Sequence, residues 1–560
     1  MSRTRIHQPA LALFAILSAL LLLPVGGEGG IPGHPQSDAY EHLHGYAWVS
    51  RSIESGQLPW GNTTFGLPVP GVLWFPDTLG ALLTLPISLL GGAPLAYTFA
   101  VFGQIWFAGF CAYLLGFHVS ASRAAGVFAG VAFGVSPFVL GLVHSGVSEY
   151  LHLAAFPLLW LATDRAFSQG GKALVPAALV WAWLGWANAY YAMFGAFVPI
   201  LVGLSRPDVT LGVLVRRAAA IAGLAGVLIL PAALIINASL SASDAVLRQD
   251  SAPGWNWVFL PANDLAGFVW PGDRLFPDFG DRGNFGIRHV HYLGWVALLL
   301  AALAWRRWWR PLLLAGVVAL GPSLHWRGQP VRVAGQVVPL PAALLYFPGS
   351  PFRAVHHPYR LVVLPLLVMA AAAADALRRR PRLALAAASL ALGETLLASP
   401  GRWPISWAPL TGVPELPGAG GVWDFPADFR ALNRKWMGLQ AVHGRPIPYT
   451  INVFLPAPWR ANSLYQSAMG CLERPDQATV SRDGWPPLAA WLVHDSAATL
   501  EEGITEVRGW GLRYVVVHLD ALRPGEAACV AALLSEAAPV PQADANLQVF
   551  DLDPLARSGY

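Results

Sequence analysis

Charge is what this chain has least of. Only 12% of its 560 residues are charged, against 55% hydrophobic. That is about half the charged share of an ordinary soluble domain, so a water-soluble globule is excluded and a membrane-embedded chain is expected. Lysine is almost missing: Lys172 and Lys435 are the only two among 36 basic residues. The net charge of +4 is small for this length, and no basic stripe interleaved with aromatics suggests nucleic acid. Three cysteines are too few for a disulfide framework. Cys111 lies in an apolar run, which leaves Cys471 and Cys529 as the only plausible pair. No Cys/His spacing fits a metal, and all three read as structural. There is no internal repeat, no Gly-rich phosphate loop and no nucleophile elbow of the G-x-S-x-G kind.

What the chain does have is apolar runs. Arg3 and Arg5 precede an apolar stretch from Pro9 to Val25; no small-x-small cleavage site follows closely, so a retained first span is expected rather than a signal peptide. A crossing helix needs about 20 apolar residues, because each buried amide must find its partner within the segment. Candidate spans are 9–25, 94–117, 124–143, 149–163, 173–187, 188–204, 218–236, 289–305, 311–324, 358–377 and 383–399. The run 73–92 is a twelfth candidate, but it carries Asp77 and is interrupted by Pro76 and Pro86. If it lies along the outer interface, the inner connections carry Arg123, Arg165, Lys172, Arg206, Arg216, Arg217, the WRRWWR cluster and the LRRRPR cluster. Every basic cluster then faces the cytoplasm, as short cytoplasmic loops prefer. If it crosses, those clusters flip outward while Arg3 and Arg5 stay inside.

The expected architecture is therefore an α-helical polytopic membrane domain over residues 1–399, with about eleven transmembrane helices and outer loops 26–93, 144–148, 237–288 and 325–357. Past residue 400 no long apolar run survives, and LTGVPELPGAGG reads as a linker. Residues 400–560 then form a small soluble α/β domain on the outer side. Its later part reads as helix, strand (Tyr514 to Leu519), helix, strand.

The stretch SDAYEHLHGYAW, residues 37–48, concentrates acids and histidines shortly after the first span. A helix from Ser37 to about Gly56, with Ser37 as cap, places Asp38, Glu41, His42, Gly45 and Val49 on one arc. Tyr40, Leu43 and Ala47 fall on the other side, so the helix reads as interfacial. The bland alternative is a juxtamembrane helix whose charges face water. A second outer loop, HSGVSEYLHLAAFP, brings its own acid: Glu149 at the mouth of a span, with His144 and His152 nearby. Two acids on separate outer loops suggest a shared cavity.

The order of one span, an outer loop opening with Asp, the G-x-L-P-W turn, an interfacial helix, a pair of spans and a second acid just outside resembles the GT-C superfamily of polytopic glycosyltransferases. Within it, the chain looks like bacterial members with a soluble C-terminal domain on the outer face, where stretches like FRAVHHPYRLVVLP (352–365) and YLGWVALLLAAL (292–303) recur. The resemblance implies a polyprenyl-phosphate-linked sugar donor and inverting hexosyl or pentosyl transfer. It also implies an envelope acceptor (glycan, lipid or protein) and a place in the cytoplasmic (inner) membrane, with the N-terminus inside. Asp38 matches the family's catalytic loop acid and Glu149 its second-loop acid. The WWDYG signature of oligosaccharyltransferases is absent, which argues against protein N-glycosylation by that route.

On this reading Asp38 is the base that takes the acceptor proton. Glu149 positions the acceptor or shares a divalent cation, Mg or Mn, with Asp38; that cation is the one candidate cofactor. Glu41, His42, His144 and His152 join the substrate site. Arg353 and Arg360, flanking His356 and His357, offer guanidinium forks for phosphate, and lipid headgroup anchoring is the alternative. Trp255, Trp257 and Trp270 in the long loop suit an acceptor-binding lid or an aromatic belt. Two rivals remain: a transporter or flippase for lipid-linked saccharides, which would carry mid-span charges and paired broken helices, and a catalytically silent scaffold.

Overall fold

The computed structural model describes residues 7–23, 30–60, 64, 66–68, 77–241, 262–271, 290–327, 329–347, 349–355, 357–398, 403–427, 430–449, 457–472, 499–535 and 537–553. Helices occupy every apolar run that length and composition marked. They are α1 (Gln8–Leu21), α2 (Ala39–Glu54), α3 (Thr78–Leu83), α4 (Leu85–Ser120), α5 (Arg123–Gly134), α6 (Pro137–His144), α7 (Ala155–Gln169) and α8 (Leu174–Ala187). They continue with α9 (Ala189–Gly195), α10 (Phe197–Ser205), α11 (Leu211–Ser241), α12 (Trp295–Leu303), α13 (Trp305–Ala319), α14 (Val363–Leu377) and α15 (Pro381–Ala398). Among the described residues, four stretches are long and apolar enough to cross a membrane: Leu85–Ser120, Arg123–His144, Leu211–Ala238 and Pro358–Leu377.

The run 73–92 does not form one helix. Asp77 caps α3 by accepting from the Gly80 N–H at 3.2 Å, and Gly92, at φ 82° and ψ 167°, breaks the first turns of α4 from the rest. Beyond that break α4 lies hard against α5. A Cβ on Gly134 would fall 2.3 Å from the Gly109 Cα. Lipid offers no hydrophobic gain for helix pairing, so close approach of small residues supplies the packing.

α7 gives the bundle its two ends. In its second half Asp164 pairs with Arg206 at 2.6 Å, and nearer its middle Trp160 stacks on Trp308 beside the Arg307–Asp375 pair at 2.9 Å. Its first turn follows the loop that carries Glu149 and His152. Nine residues at 1.5 Å each put Asp164 and its Arg206 about 14 Å beyond the start of the helix, so this pair lies away from the acids.

The C-terminal part has a second apolar core, built on Trp423, Trp436, Trp459 and Val515 to Val517. β1 (Gly30–Pro32) pairs antiparallel with β2 (Trp407–Pro409), joining the first loop to the chain beyond α15. β3 (Gly421–Phe425), α16 (Arg430–His443), α17 (Ser463–Gly470), α18 (Leu500–Gly509), β4 (Leu512–His518), α19 (Pro524–Leu533), β5 (Ala538–Val540) and β6 (Leu547–Asp551) follow. The sheet order is β3-β4-β6-β5; β3 and β4 run parallel, and β6 is antiparallel to both its neighbours. The strand expected at Tyr514 to Leu519 is β4. Strand β3 was hidden in sequence behind the Gly/Pro linker that leads into it. Cys471 and Cys529 form a disulfide, and Cys111 is free and buried.

Candidate functional site

The site starts where two loops touch. The Asp38 N–H donates to the Ser145 carbonyl at 3.1 Å, and the His34 N–H to the His144 carbonyl at 2.8 Å. Gly146 makes this approach feasible. Its φ is +67°, and a Cβ there would sit 2.3 Å from the Ala39 nitrogen, so glycine answers both the backbone conformation and the lack of space. The loop of Asp38 and the loop of Glu149 are thereby in backbone contact.

Asp38 occupies the cap position of α2 without capping it. Its Oδ1 pairs instead with Arg434 Nη2 of α16 at 2.6 Å. One turn on, Glu41 Oε1 accepts from Arg434 Nε at 3.0 Å, and Arg434 Nη1 donates to the Gln36 carbonyl at 3.1 Å. Burial pushes the Glu41 carboxyl up, against the opposing pull of Arg434.

Glu149 takes a different partner. Its Oε2 lies 3.1 Å from His42 Nε2, and His42 Nδ1 lies 2.9 Å from Ser148 Oγ. Burial raises the Glu149 carboxyl above its ordinary range, more than His42 and Arg360 lower it. Arg360 is buried with its guanidinium 3.4 Å from the centre of the Tyr150 ring, and its charge reaches Glu149. His152 receives the Trp183 indole N–H on Nδ1 at 3.1 Å. Its proton is therefore on Nε2, which donates to Asp77 Oδ1 at 2.7 Å. The Tyr46 hydroxyl donates to the other Asp77 oxygen at 2.6 Å. The Tyr97 hydroxyl donates to the Gly146 carbonyl at 3.2 Å.

Asp38, Glu41, His42, Glu149, His152 and Arg360 are thus gathered around the start of α2. Asp38 and Glu149 each keep a separate partner rather than pairing with each other. His144 ends α6 with its ring 5.0 Å from that of His34. Arg353 is half-buried in the 351–354 turn. His356, Trp255 and Trp257 lie outside the described residues, and Trp270 is half-buried.

Two expectations for α2 need correction. The helix is not interfacial: residues 39–50 are buried on every side, because Tyr40, on the face assigned to the bilayer, packs on Gly438 of α16 and donates to the Pro409 carbonyl. Glu41 and the histidines of this stretch do not face water; Glu54, in the last turn, does. Nor does Ser37 cap it, since the helix begins at Ala39 and the Ser37 hydroxyl takes only the Ala39 N–H, at 3.3 Å. Sequence reading missed Arg434, Asp77, Ser148, Tyr46 and Tyr97. Asp77 was visible as an acid in an apolar run; Arg434 carries no pattern that sets it apart from other arginines.

The cluster does not fit a resident divalent cation. Asp38 and Glu41 share Arg434, Glu149 holds His42, and Asp77 holds His152. A metal would compete with a cationic or hydrogen-bonding partner already held by each of these carboxylates, and among the described residues no group of three or more His, Cys, Asp or Glu is placed to hold one. Asp38 is the most accessible of the acids, its side chain 18% exposed against 9% for Glu149, 7% for Glu41 and none for Asp77. A cavity of about 350 Å³ lined by Leu303, Ala376 and Arg378 to Arg380 lies at the arginine end, away from the acids.

No family model matches the chain, and no curated protein matches it in sequence. Several solved structures are similar to it in overall shape. One is the arabinofuranosyltransferase AftD from mycobacteria, at 16% identity and a TM-score of 0.48 over 97% of this chain and 41% of that one. Another is the Archaeoglobus fulgidus oligosaccharyltransferase AglB in complex with an inhibitory peptide and a dolichol-phosphate, at 11% identity and a TM-score of 0.43 over 96% of this chain and 73% of that one. An Archaeoglobus fulgidus oligosaccharyltransferase in its apo form gives 12% and 0.41 over 94% and 71%. This chain spans about two-fifths of the length of the arabinofuranosyltransferase.

Proposed function

We propose that this protein is an inverting glycosyltransferase of the inner membrane, moving a sugar from a polyprenyl-phosphate donor to an envelope acceptor at the outer face. The observation that carries this reading is the meeting of the Asp38 and Glu149 loops in one buried cluster that also holds Arg360 and Arg434. Inverting transfer needs a group to take the acceptor proton and cations to hold the departing phosphate. Asp38 is the base. Arg434 pairs with its Oδ1, while its greater exposure leaves Oδ2 for the incoming hydroxyl. As the acceptor oxygen bonds to the anomeric carbon, the bond from that carbon to the phosphate oxygen breaks and the proton passes to Asp38. Glu149, held by His42, orients the acceptor, and Arg360 faces the phosphate.

The disulfide between Cys471 and Cys529 supports an outer location for the C-terminal part, because such bonds persist in oxidising compartments. The placement of Arg206 in the second half of α7 and of Glu149 before its first turn supports the same topology. A flippase is disfavoured by that same placement of charge.

The test is transfer by the purified full-length protein, read as release of polyprenyl phosphate from a panel of polyprenyl-phosphate-linked hexoses and pentoses. Asp38→Asn should slow release at least about a hundredfold, the loss expected for a general base, with an unchanged melting temperature. Undiminished release by that variant rules out this reading, and wild-type protein inert on the whole panel favours the scaffold.

A further inference from the structure

Two carboxylates one helical turn apart, Glu41 buried and Asp38 largely so, need a cation between them. The cation comes from the other end of the chain. Arg434 leaves α16 toward Asp38 and Glu41, while Trp436, two residues on, points back into the C-terminal core. There its ring lies over His518 with centroids 3.8 Å apart and its indole N–H donates to the Pro426 carbonyl. His518 is itself held by Asp424 at 2.8 Å, so the base of Arg434 is anchored in the sheet. α2 answers at its far end, where Arg51 donates to the carbonyls of Gln440 and Ala441. Between these two points Gly438 lies so close to Tyr40 that a Cβ would fall 2.3 Å from its ring. The guanidinium thus arrives on a helix fixed at three places.

Of the five N–H groups of Arg434, that on Nε donates to Glu41 and one on Nη1 to the Gln36 carbonyl, while Nη2 forms the ion pair with Asp38. One remains on each terminal nitrogen. A planar fork of this kind matches phosphate oxygens.

We propose that Arg434 is the cation of this site. It holds Asp38 and Glu41 where a divalent metal would otherwise be needed, and with its two remaining N–H groups it binds the phosphate of the lipid donor. The C-terminal domain then completes the site instead of standing beside it as a separate binding module. This rests on the glycosyltransferase reading, and it makes phosphate binding independent of metal.

The experiment is titration of full-length protein in lipid nanodiscs with farnesyl phosphate, once with EDTA and once with Mn²⁺. Wild-type affinity should be the same in both. Arg434→Gln should bind at least about tenfold more weakly, the loss of a charge-assisted fork. Arg434→Lys keeps the charge without the fork and should fall about threefold; it carries the test alone if the glutamine variant fails to fold, as its melting curve will show. Binding that requires Mn²⁺, or wild-type affinity in a folded variant, overturns the proposal while leaving the transferase reading intact. Wild-type protein that binds no farnesyl phosphate in either condition takes both down.

Discussion

At the residue scale, the acids and histidines of α2 divide into two sets by the partner each finds. Asp38 and Glu41 face Arg434, and His42 faces Glu149. His44 is buried near Arg51 and the side chain of Gln440. Burial, helped by Arg51, lowers His44 to about 3, and burial lowers His443 of α16 to about 4. Both are neutral in the folded protein, whereas the unfolded chain takes up their protons near the ordinary value of 6.5. Stability is therefore full above that value and falls as pH drops toward the folded values, by up to about 1.4 kcal/mol per pH unit for each histidine. The melting temperature should drop between about pH 7 and about pH 5, and His44→Gln should flatten the drop. A wild-type curve level across that range would contradict it. The acids were legible in sequence because a carboxylate at the mouth of a span stands out against an apolar background. Arg434 was not, because its role depends on a contact between segments almost 400 residues apart, which leaves no trace in local pattern.

At the element scale, the helices were legible because apolar length is a direct demand of the bilayer. The burial of α2 was not. A helix with polar and apolar faces reads as interfacial when the sequence does not reveal what covers each face, and here α16 covers the side that pattern assigned to lipid. The α2–α16 contact makes its own prediction. Gly438→Ala adds a methyl group where the Tyr40 ring already stands, and overpacking of this kind costs about 2 kcal/mol. The variant should melt lower than the wild type. The double variant with Tyr40→Ala should lose less than the sum of the two single changes, since one substitution makes room for the other. Simple additivity in that cycle would mean the two residues do not share the contact. Strand β3 shows the same limit: GVWDF is a good strand, but five residues after a Gly/Pro linker become one only by pairing with β4, nearly a hundred residues later.

At the scale of the whole molecule, the chain beyond α15 folds back onto the loop that opens it, through the β1–β2 pair and through Arg434. Both contacts require the first loop and the C-terminal domain on one side of the membrane, whichever side that is. An outer location is checked by sidedness labelling. Asp520, whose side chain is 53% exposed, provides the position. In intact cells Asp520→Cys should react with a maleimide that cannot cross membranes; labelling seen only after cell lysis would place the domain inside.

The pairing of residues 30–32 with residues 407–409 also sets a schedule for synthesis. A ribosome that has delivered every apolar helix to the translocon has still not supplied the partner strand, nor the guanidinium that neutralises the acids. A truncated product, however completely inserted, carries an unfinished cluster until the last quarter of the chain emerges.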